Sequence, residues 1–164
     1  MIAEAIHALN ETPIAAAIRE SQSAYPLLQV VHIVGFSLFI GAMTFANLRV
    51  AGAGSNVPLL DFVRYSTRIA LFGLVLVLLA GGTMFMSFAD IFFVSDVMRL
   101  KLIVLLVTLA NLAILVRGSL GSSPRWFDQA PDPVRARKWV ALSIAACLLI
   151  ITLGKLLAYI GGKD

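Results

Sequence analysis

Charged residues are scarce in this sequence. Asp, Glu, Lys and Arg make up 13% of its 164 residues, against about 25% in an ordinary soluble domain. Hydrophobic residues reach 60%, and the mean hydropathy is +0.93. This composition argues against a soluble domain and predicts that most of the chain lies in a lipid bilayer.

Cysteine and histidine are also scarce. The single cysteine, Cys147, lies in an apolar run, so no disulfide forms within the chain, and we expect its thiol to be a small buried hydrophobe. The two histidines are His7, which we expect on the surface, and His32, which lies in a long apolar segment. A haem with two histidine ligands, the common electron-transfer arrangement, therefore cannot be assembled within the spans of one chain.

The basic residues do not follow a nucleic-acid-binding pattern. The net charge is +4, but the lysines and arginines flank the apolar segments. This placement is typical of topology signals and of contacts with anionic lipid headgroups. We therefore expect the lipid bilayer as a partner and no nucleic acid.

Four apolar segments are long enough to cross a bilayer, which takes about 20 helical residues at about 1.5 Å each. We predict spans at about 25–48, 67–89, 98–116 and 139–160, all in one transmembrane domain of residues 1–164. The leader, residues 1–24, contains Thr12-Pro13, which predicts the start of a short helix lying in the membrane interface. It opens without the basic region of a cleavable signal peptide. The predicted fold class is an all-α, integral membrane four-helix bundle.

The basic residues also predict an orientation in the bacterial inner membrane. Four spans put both termini on one side. The loops after the first and third spans carry Arg49, Arg64, Arg68, Arg117, Arg125, Arg135, Arg137 and Lys138, whereas the other side carries Arg19, Arg99, Lys101, Lys155 and Lys163 with most of the acids. The positive-inside rule places these two loops in the cytoplasm and both termini in the periplasm.

With this orientation, polar groups from separate spans come together in the periplasmic half of the bundle. His32 lies about seven residues below the periplasmic end of the first span, on the order of 10 Å. A histidine inside a span is a functional-site hypothesis by default. A haem b fits the set: the iron takes the imidazole of His32, the macrocycle lies in the groove at Gly35, and the propionates pair with Lys101, Lys155 or Arg99.

Other interpretations stay open. A quinone headgroup also accepts hydrogen bonds from His and Lys. Copper bound by His32 with Met84 or Met86 is chemically sensible, because thioether and imidazole ligands suit Cu(I), although nearby lysines disfavour a cation. In the structural interpretation, His32 hydrogen-bonds a neighbouring helix, and Lys101 and Lys155 extend to the headgroups. The protein would then be a non-enzymatic membrane subunit or a copper-handling or transport protein.

A second polar layer lies near the cytoplasmic ends of the spans. Asn47 and Arg49 end the first span, and Asn111 lies within the third. We expect Asn111 to form a hydrogen bond across helices and Arg49 to be a topology determinant.

The stretch AIRESQSAYPLLQVVHIVGFSLFIGAMTFANLRVAG, residues 17–52, resembles the opening of an uncharacterised family of small bacterial four-span inner-membrane proteins. That family has a Tyr-Pro pair, a His-x-x-Gly, a second glycine and an Asp-Leu-Arg ending. The matching positions are Tyr25-Pro26, His32 with Gly35, Gly41, and Asn47-Leu48-Arg49, where Asn47 replaces the acid. Two further matches are Arg99 to Lys101 with Asn111, and Gly154-Lys155 with Ala158-Tyr159.

More distantly, the layout is similar to the copper resistance D membrane domain and to HemJ-type protoporphyrinogen oxidase. Both have a His-x-x-Gly-like first span and a lysine at the head of a later span, here His32 and Lys101. The HemJ group is haem-associated, so the resemblance implies a haem or redox role. We therefore expect a redox-associated protein that holds haem b or a similar anionic cofactor near the periplasmic face. A quinone, another membrane or periplasmic redox subunit, or a second copy of the chain are candidate partners.

Overall fold

The computed structural model describes residues 2–54, 56–120 and 133–160, with side chains over 3–54, 56–117, 138 and 140–156. Arg125 and Lys163, used above for the orientation, lie outside these ranges. Within them the secondary structure is entirely helical, which confirms the all-α prediction. In chain order the helices are α1 (Ile2–Asn10), α2 (Pro13–Glu20), α3 (Ala24–Val50), α4 (Leu59–Ser87), α5 (Ala89–Val94), α6 (Asp96–Leu120) and α7 (Pro133–Ile160).

Three of these helices are long and apolar enough to cross a membrane. They are α3, α4 and α6, and only 17%, 22% and 22% of their most apolar windows are buried within the protein. Large apolar side chains such as Phe72 and Leu106 are 60% and 65% exposed. The apolar part of α7, Val140–Leu156, is shorter over the residues that are described. A multi-pass membrane protein accounts for this outward-facing apolar surface.

The four long helices form a ring in which α3 contacts α4, α4 contacts α6, α6 contacts α7, and α7 returns to α3. The closest pair is α3 with α4, which cross at Gly35 and Gly73. A Cβ atom added to Gly73 would lie 2.6 Å from the carbonyl oxygen of Gly35, and one added to Gly35 would lie 2.6 Å from Cβ of Leu76. Glycine is therefore required on both helices for this approach, as is common where membrane helices pack.

Three polar side chains join α3, α6 and α7 inside the ring. Ser143 accepts hydrogen bonds from the side-chain amides of Asn47 (3.0 Å) and Asn111 (2.7 Å). Asn47 also donates to the carbonyl oxygen of Met43 at 2.8 Å. We call Asn47, Asn111 and Ser143 the polar clasp. The prediction that Asn111 bonds across helices is confirmed.

Removing the hydroxyl of the clasp should destabilise the bundle. We expect Ser143→Ala to lower the free energy of unfolding by about 1–2 kcal/mol, because both amides lose a partner in an apolar interior. Ser37→Ala is the matched control, since among the described residues the Ser37 hydroxyl bonds only its own helix, at the carbonyl oxygen of Ile33. Denaturant unfolding in lipid bicelles measures both variants. Equal stabilities of the two variants would contradict the prediction.

The N-terminal residues form two helices that pack against α4 and α5. The predicted helix start at Thr12-Pro13 is confirmed: the Thr12 hydroxyl accepts from the amide of Ala15 at 3.3 Å, and Pro13 is the first residue of α2. The chain breaks between α1 and α2 because the proline ring cannot continue the preceding helix. Ala15 and Ile18 are buried, so α2 is packed against the protein on one face.

Two side chains fasten the N-terminal helices to the end of the bundle that carries α5. The guanidinium of Arg19 donates to the carbonyl oxygens of Asn10 (2.7 Å) and Ser87 (3.0 Å). Nδ1 of His7 lies 3.1 Å from a carboxylate oxygen of Asp90 in α5. The His7 side chain is 67% exposed, which confirms its predicted surface position. The hydrogen bond and charge of Asp90 raise the pKa of His7, and the charge of Glu11 adds to this.

The attachment of α1 to α5 should therefore weaken as the pH rises. A raised pKa means that the ion pair stabilises the folded form fully below the usual histidine pKa of about 6.5 and is lost as the pH rises through the higher folded value. The pair is exposed, so we expect a small effect. Hydrogen exchange of α1, corrected for the intrinsic pH dependence, should speed up across this range in the native chain but not in Asp90→Asn. Identical pH profiles of the two proteins would refute the coupling.

Candidate functional site

A cavity of about 700 Å³ lies between the four long helices, at the end of the bundle that carries α5. This volume falls in the ~300–1,000 Å³ range of small-molecule sites. Aromatic and aliphatic side chains, including Phe36, Phe85, Phe92 and Ile150, form most of its wall. Its polar side chains are Tyr25, Gln29, His32, Ser37, Lys101 and Lys155. No acid is among the described residues that line it.

A hydrogen bond from the imidazole ring holds His32 against α4. Nδ1 lies 3.2 Å from the carbonyl oxygen of Val77, and because a carbonyl only accepts, Nδ1 carries the proton. The ring lies over Gly81, where an added Cβ would come within 2.7 Å of Cε1, and is stacked with Phe36 at 6.0 Å between centroids. Nε2 therefore keeps its lone pair as an acceptor or ligand atom. This is the arrangement by which a backbone carbonyl orients a metal-ligating histidine.

The His32 ring also borders a second, smaller cavity. This space of about 260 Å³ lies on the α4–α6 side and shares His32, Phe36 and Lys101 with the first. Its own lining includes Leu78 on α4 and Leu102 on α6. The imidazole and the Lys101 side chain thus separate two spaces inside one bundle, and both spaces are mostly apolar.

Lys101 brings an ammonium group into the cavity, where the described residues provide no counter-ion. Its Nζ lies 3.9 Å from the position of a Cβ added to Gly154, so the side chain reaches across from α6 to α7. Among the described residues Lys101 has no ion pair or hydrogen bond. Arg99, two residues earlier, does not line the cavity and is paired with Asp96 at 3.0 Å. An unpaired ammonium in an apolar cavity favours an anionic ligand.

Some of the predicted site residues line the large cavity, and others do not. His32, Lys101 and Lys155 all line the large cavity, as does Met84, whereas Met86 is not part of its lining. Gly35 lies at the α3–α4 crossing and does not line the cavity. Their roles in binding a cofactor stay predictions, and within the described residues no three His, Cys, Asp or Glu side chains are grouped as a metal site. Cys147 is buried and unpaired, as expected.

Sequence reasoning missed three polar side chains of the cavity, Tyr25, Gln29 and Ser37, and the partner of its histidine. Gln29 and Tyr25 precede His32 by three and seven residues, which places them on the same helical face, so the helical spacing could have found them. The carbonyl of Val77 carries no such signal, because every residue has one. The pairing of His32 with Val77 follows only from how close Gly35 and Gly73 bring the two helices.

The site therefore combines one ligand nitrogen, two ammonium groups, hydroxyl and amide donors, and aromatic walls. Such a set suits an amphiphilic or planar ligand with negative charge. A bare cation is disfavoured by the two ammonium groups, although Met84 supplies a soft thioether in the same cavity. Comparison of the chain with protein-family models, with curated proteins and with solved structures gave no match.

Proposed function

We propose that this is a four-span protein of the bacterial inner membrane that holds haem b near the periplasmic face through His32 and serves in electron transfer or a related oxidation. In this proposal α3, α4, α6 and α7 are the spans, α2 lies at the interface, and both termini are periplasmic. The exposed apolar surface of the long helices supports the membrane setting. A relationship to HemJ-type enzymes is part of the proposal and rests on His32 and Lys101.

The residues of the cavity fit this group. Nε2 of His32 would bind the iron, and the carbonyl oxygen of Val77 fixes the ring by accepting a hydrogen bond from Nδ1. Lys101 and Lys155 hold the carboxylates, and the aromatic walls exclude water from the macrocycle. When bound, the haem supplies a one-electron couple, which a quinone or another redox subunit in the same membrane can exchange with.

One observation carries the proposal: the oriented imidazole of His32 shares its cavity with the unpaired ammonium of Lys101. A purely structural histidine would account for the hydrogen bond to Val77. It would not account for an ammonium that has no acid beside it among the described residues. Burying a charge without a partner in an apolar medium costs on the order of several kcal/mol. An anionic ligand at this position would offset that cost, which explains why a lysine is present there.

Copper handling is the second candidate, because the Met84 thioether lines the same cavity as His32. Imidazole and thioether ligands suit Cu(I), but the ammonium groups of Lys101 and Lys155 oppose a bare cation. A Cu(I) titration that weakens in Met84→Leu but not in Met86→Leu would favour this function over the first. The comparison is matched, because Met86 does not line the cavity.

The visible absorption spectrum of the purified protein tests the first proposal. We expect a Soret band, either as purified or after addition of haemin, and its loss in His32→Ala. His7→Ala is the matched control, because it removes the other histidine of the chain, which is on the surface and bonds Asp90. A folded protein that stays colourless with haemin, or a band that survives His32→Ala, would refute the proposal.

A further inference from the structure

We infer that ligands reach the large cavity sideways from the bilayer, between α3 and α7, and that the cavity selects amphiphiles with an anionic head and a long apolar body. This inference rests on the cavity of the proposed function, but not on haem. A haem with its two carboxylates would be one ligand of this class. We call the boundary between α3 and α7 the seam.

The seam is closed at one end and open at the other. Asn47 of α3 and Ser143 of α7 are hydrogen-bonded at 3.0 Å, which holds the two helices together at the clasp. About 10 Å further along each helix come Ile40 and Ile150, where the cavity begins. Of the neighbouring helix pairs in the ring, α3 and α7 approach each other closely over the fewest of the described residues. The two helices therefore leave a gap between them on the α5 side of the clasp.

Residues along the seam face the cavity and the outside of the bundle at once. Ile33 and Ile151 line the cavity, yet they are 62% and 48% exposed. Ser37 and Lys155 are likewise both cavity-lining and exposed. Gly41 lines the cavity, and no atom lies within 4 Å of where its Cβ would be. Side chains that belong to both surfaces mark an opening in the wall.

Two of the other walls are closed by packing, whereas on the α4–α6 side Leu78 and Leu102 line the small cavity and are 52% and 46% exposed. The α3–α4 wall is sealed by the contact of Gly35 with Gly73. Between α6 and α7, Val104, Ile150 and Leu153 form a buried apolar cluster. At the end that carries α5, aromatic rings cover the cavity: Tyr25 meets Phe88 edge-on at 5.4 Å, and Phe85 stacks with Phe92 at 6.2 Å.

The lining also specifies the shape and charge of the ligand. From Tyr25 to Gly41 the cavity follows α3 for sixteen residues, about 24 Å. His32, Lys101 and Lys155 lie near the middle of this length, with Tyr25 at one end and Ile40 and Gly41 at the other. Basic side chains with no acid among the described lining residues, next to an apolar stretch that leads to Gly41, complement an anionic head on an apolar body. Fatty carboxylates and phospholipid phosphates share this chemistry.

Two glycines provide a matched pair for the test. An added Cβ has no atom within 4 Å at Gly41, which lines the large cavity, or at Gly82, which lines the small cavity on the α4–α6 side. The backbone therefore leaves room for a side chain to begin at both positions, and both changes raise helix propensity. Gly41→Leu fills the seam, whereas Gly82→Leu fills the opposite side.

The probe is a long-chain fatty acid that carries a photoreactive diazirine, incorporated into phospholipid vesicles that contain the protein. Mass spectrometry should locate the cross-links at seam positions such as Ile33 and Ile151. We expect Gly41→Leu to reduce them about tenfold, because the leucine displaces roughly two methylenes of ligand. Gly82→Leu should change them less than about twofold. A diazirine phospholipid in a second arm tells whether a lipid phosphate is the head that binds.

Three outcomes would overturn the inference. Greater loss in Gly82→Leu than in Gly41→Leu would place the access route between α4 and α6. Equal labelling of the exposed positions Ile33 and Leu79, on different helices, would indicate lipid contact only. If a diazirine fatty alcohol, which carries no charge, labelled the seam as strongly as the fatty acid, the cavity would not select for an anionic head. If the protein stayed colourless but was labelled at the seam, haem binding would be refuted and this inference would stand. If it bound haem but was not labelled at the seam, haem binding would stand and this inference would be refuted.

Discussion

Gly81→Ala is expected to lower the affinity for haemin by about 10–100-fold, the range typical of losing the group that orients a metal ligand. The new methyl group would lie 2.7 Å from Cε1 and 2.9 Å from Nδ1 of His32, closer than non-bonded atoms approach. The ring must turn away from α4, which breaks its hydrogen bond to Val77 and misdirects Nε2. A haemin titration followed at the Soret band measures the change.

Gly82→Ala is the matched control for Gly81→Ala. Both glycines lie in α4, and both changes raise helix propensity by about 1 kcal/mol, so neither should unfold the protein. No atom lies within 4 Å of a Cβ added to Gly82, and His32 stays in place. Circular dichroism should be the same for both variants. Equal haemin affinity of the two variants would mean that the orientation of His32 has no part in binding.

Lys101→Glu is expected to weaken the binding of a carboxylate-bearing ligand by about 30-fold or more, which corresponds to about 2 kcal/mol or more. The ammonium has no ion pair or hydrogen bond among the described residues, so the change does not break a bond within the protein. It replaces attraction for the ligand by repulsion inside an apolar cavity, where charges are poorly screened. Titration with haemin, and with the fatty-acid probe, gives the affinity.

Two further variants separate charge from position. Lys101→Arg keeps the charge and should lose less than about fivefold in affinity, since a guanidinium also binds carboxylates. Arg99→Glu reverses a cation two residues away that pairs with Asp96 outside the cavity, and it should change affinity little. If Lys101→Glu and Arg99→Glu had the same effect, the ammonium would act only through the overall surface charge.

The long helices and the start of the short helix α2 could be predicted from the sequence, whereas α5 could not. A span needs about 20 apolar residues, a signal that α3, α4 and α6 carry over their whole apolar length. The start of α2 could be predicted because Thr12 and Pro13 have a specific capping role. By contrast, α5 has only six residues, too few for a helical periodicity, and the sequence presented it as a link. Its Phe92 nevertheless lines the cavity.

The position of each site residue along its helix could be predicted from the sequence, but the direction in which its side chain points could not. Counting residues from the ends of the spans brings His32, Lys101 and Lys155 to one level, and all three line the cavity. Arg99 shares that level, but two residues turn a helix by about 200°, so its side chain points away from Lys101. Gly35 shares a face with His32, but it lies where α4 crosses, and only the packing of the two helices reveals this.

A ligand-bound experimental structure tests the central claim most directly: His32, Lys101 and Lys155 converge on one shared ligand. The protein should be purified in lipid nanodiscs without delipidation and then loaded with haemin. We predict density between the helices that meets Nε2 of His32 on one side and the Lys101 ammonium on another. A His32 ring turned toward the lipid, with both ammonium groups extended to the headgroups and no density between them, would contradict the account.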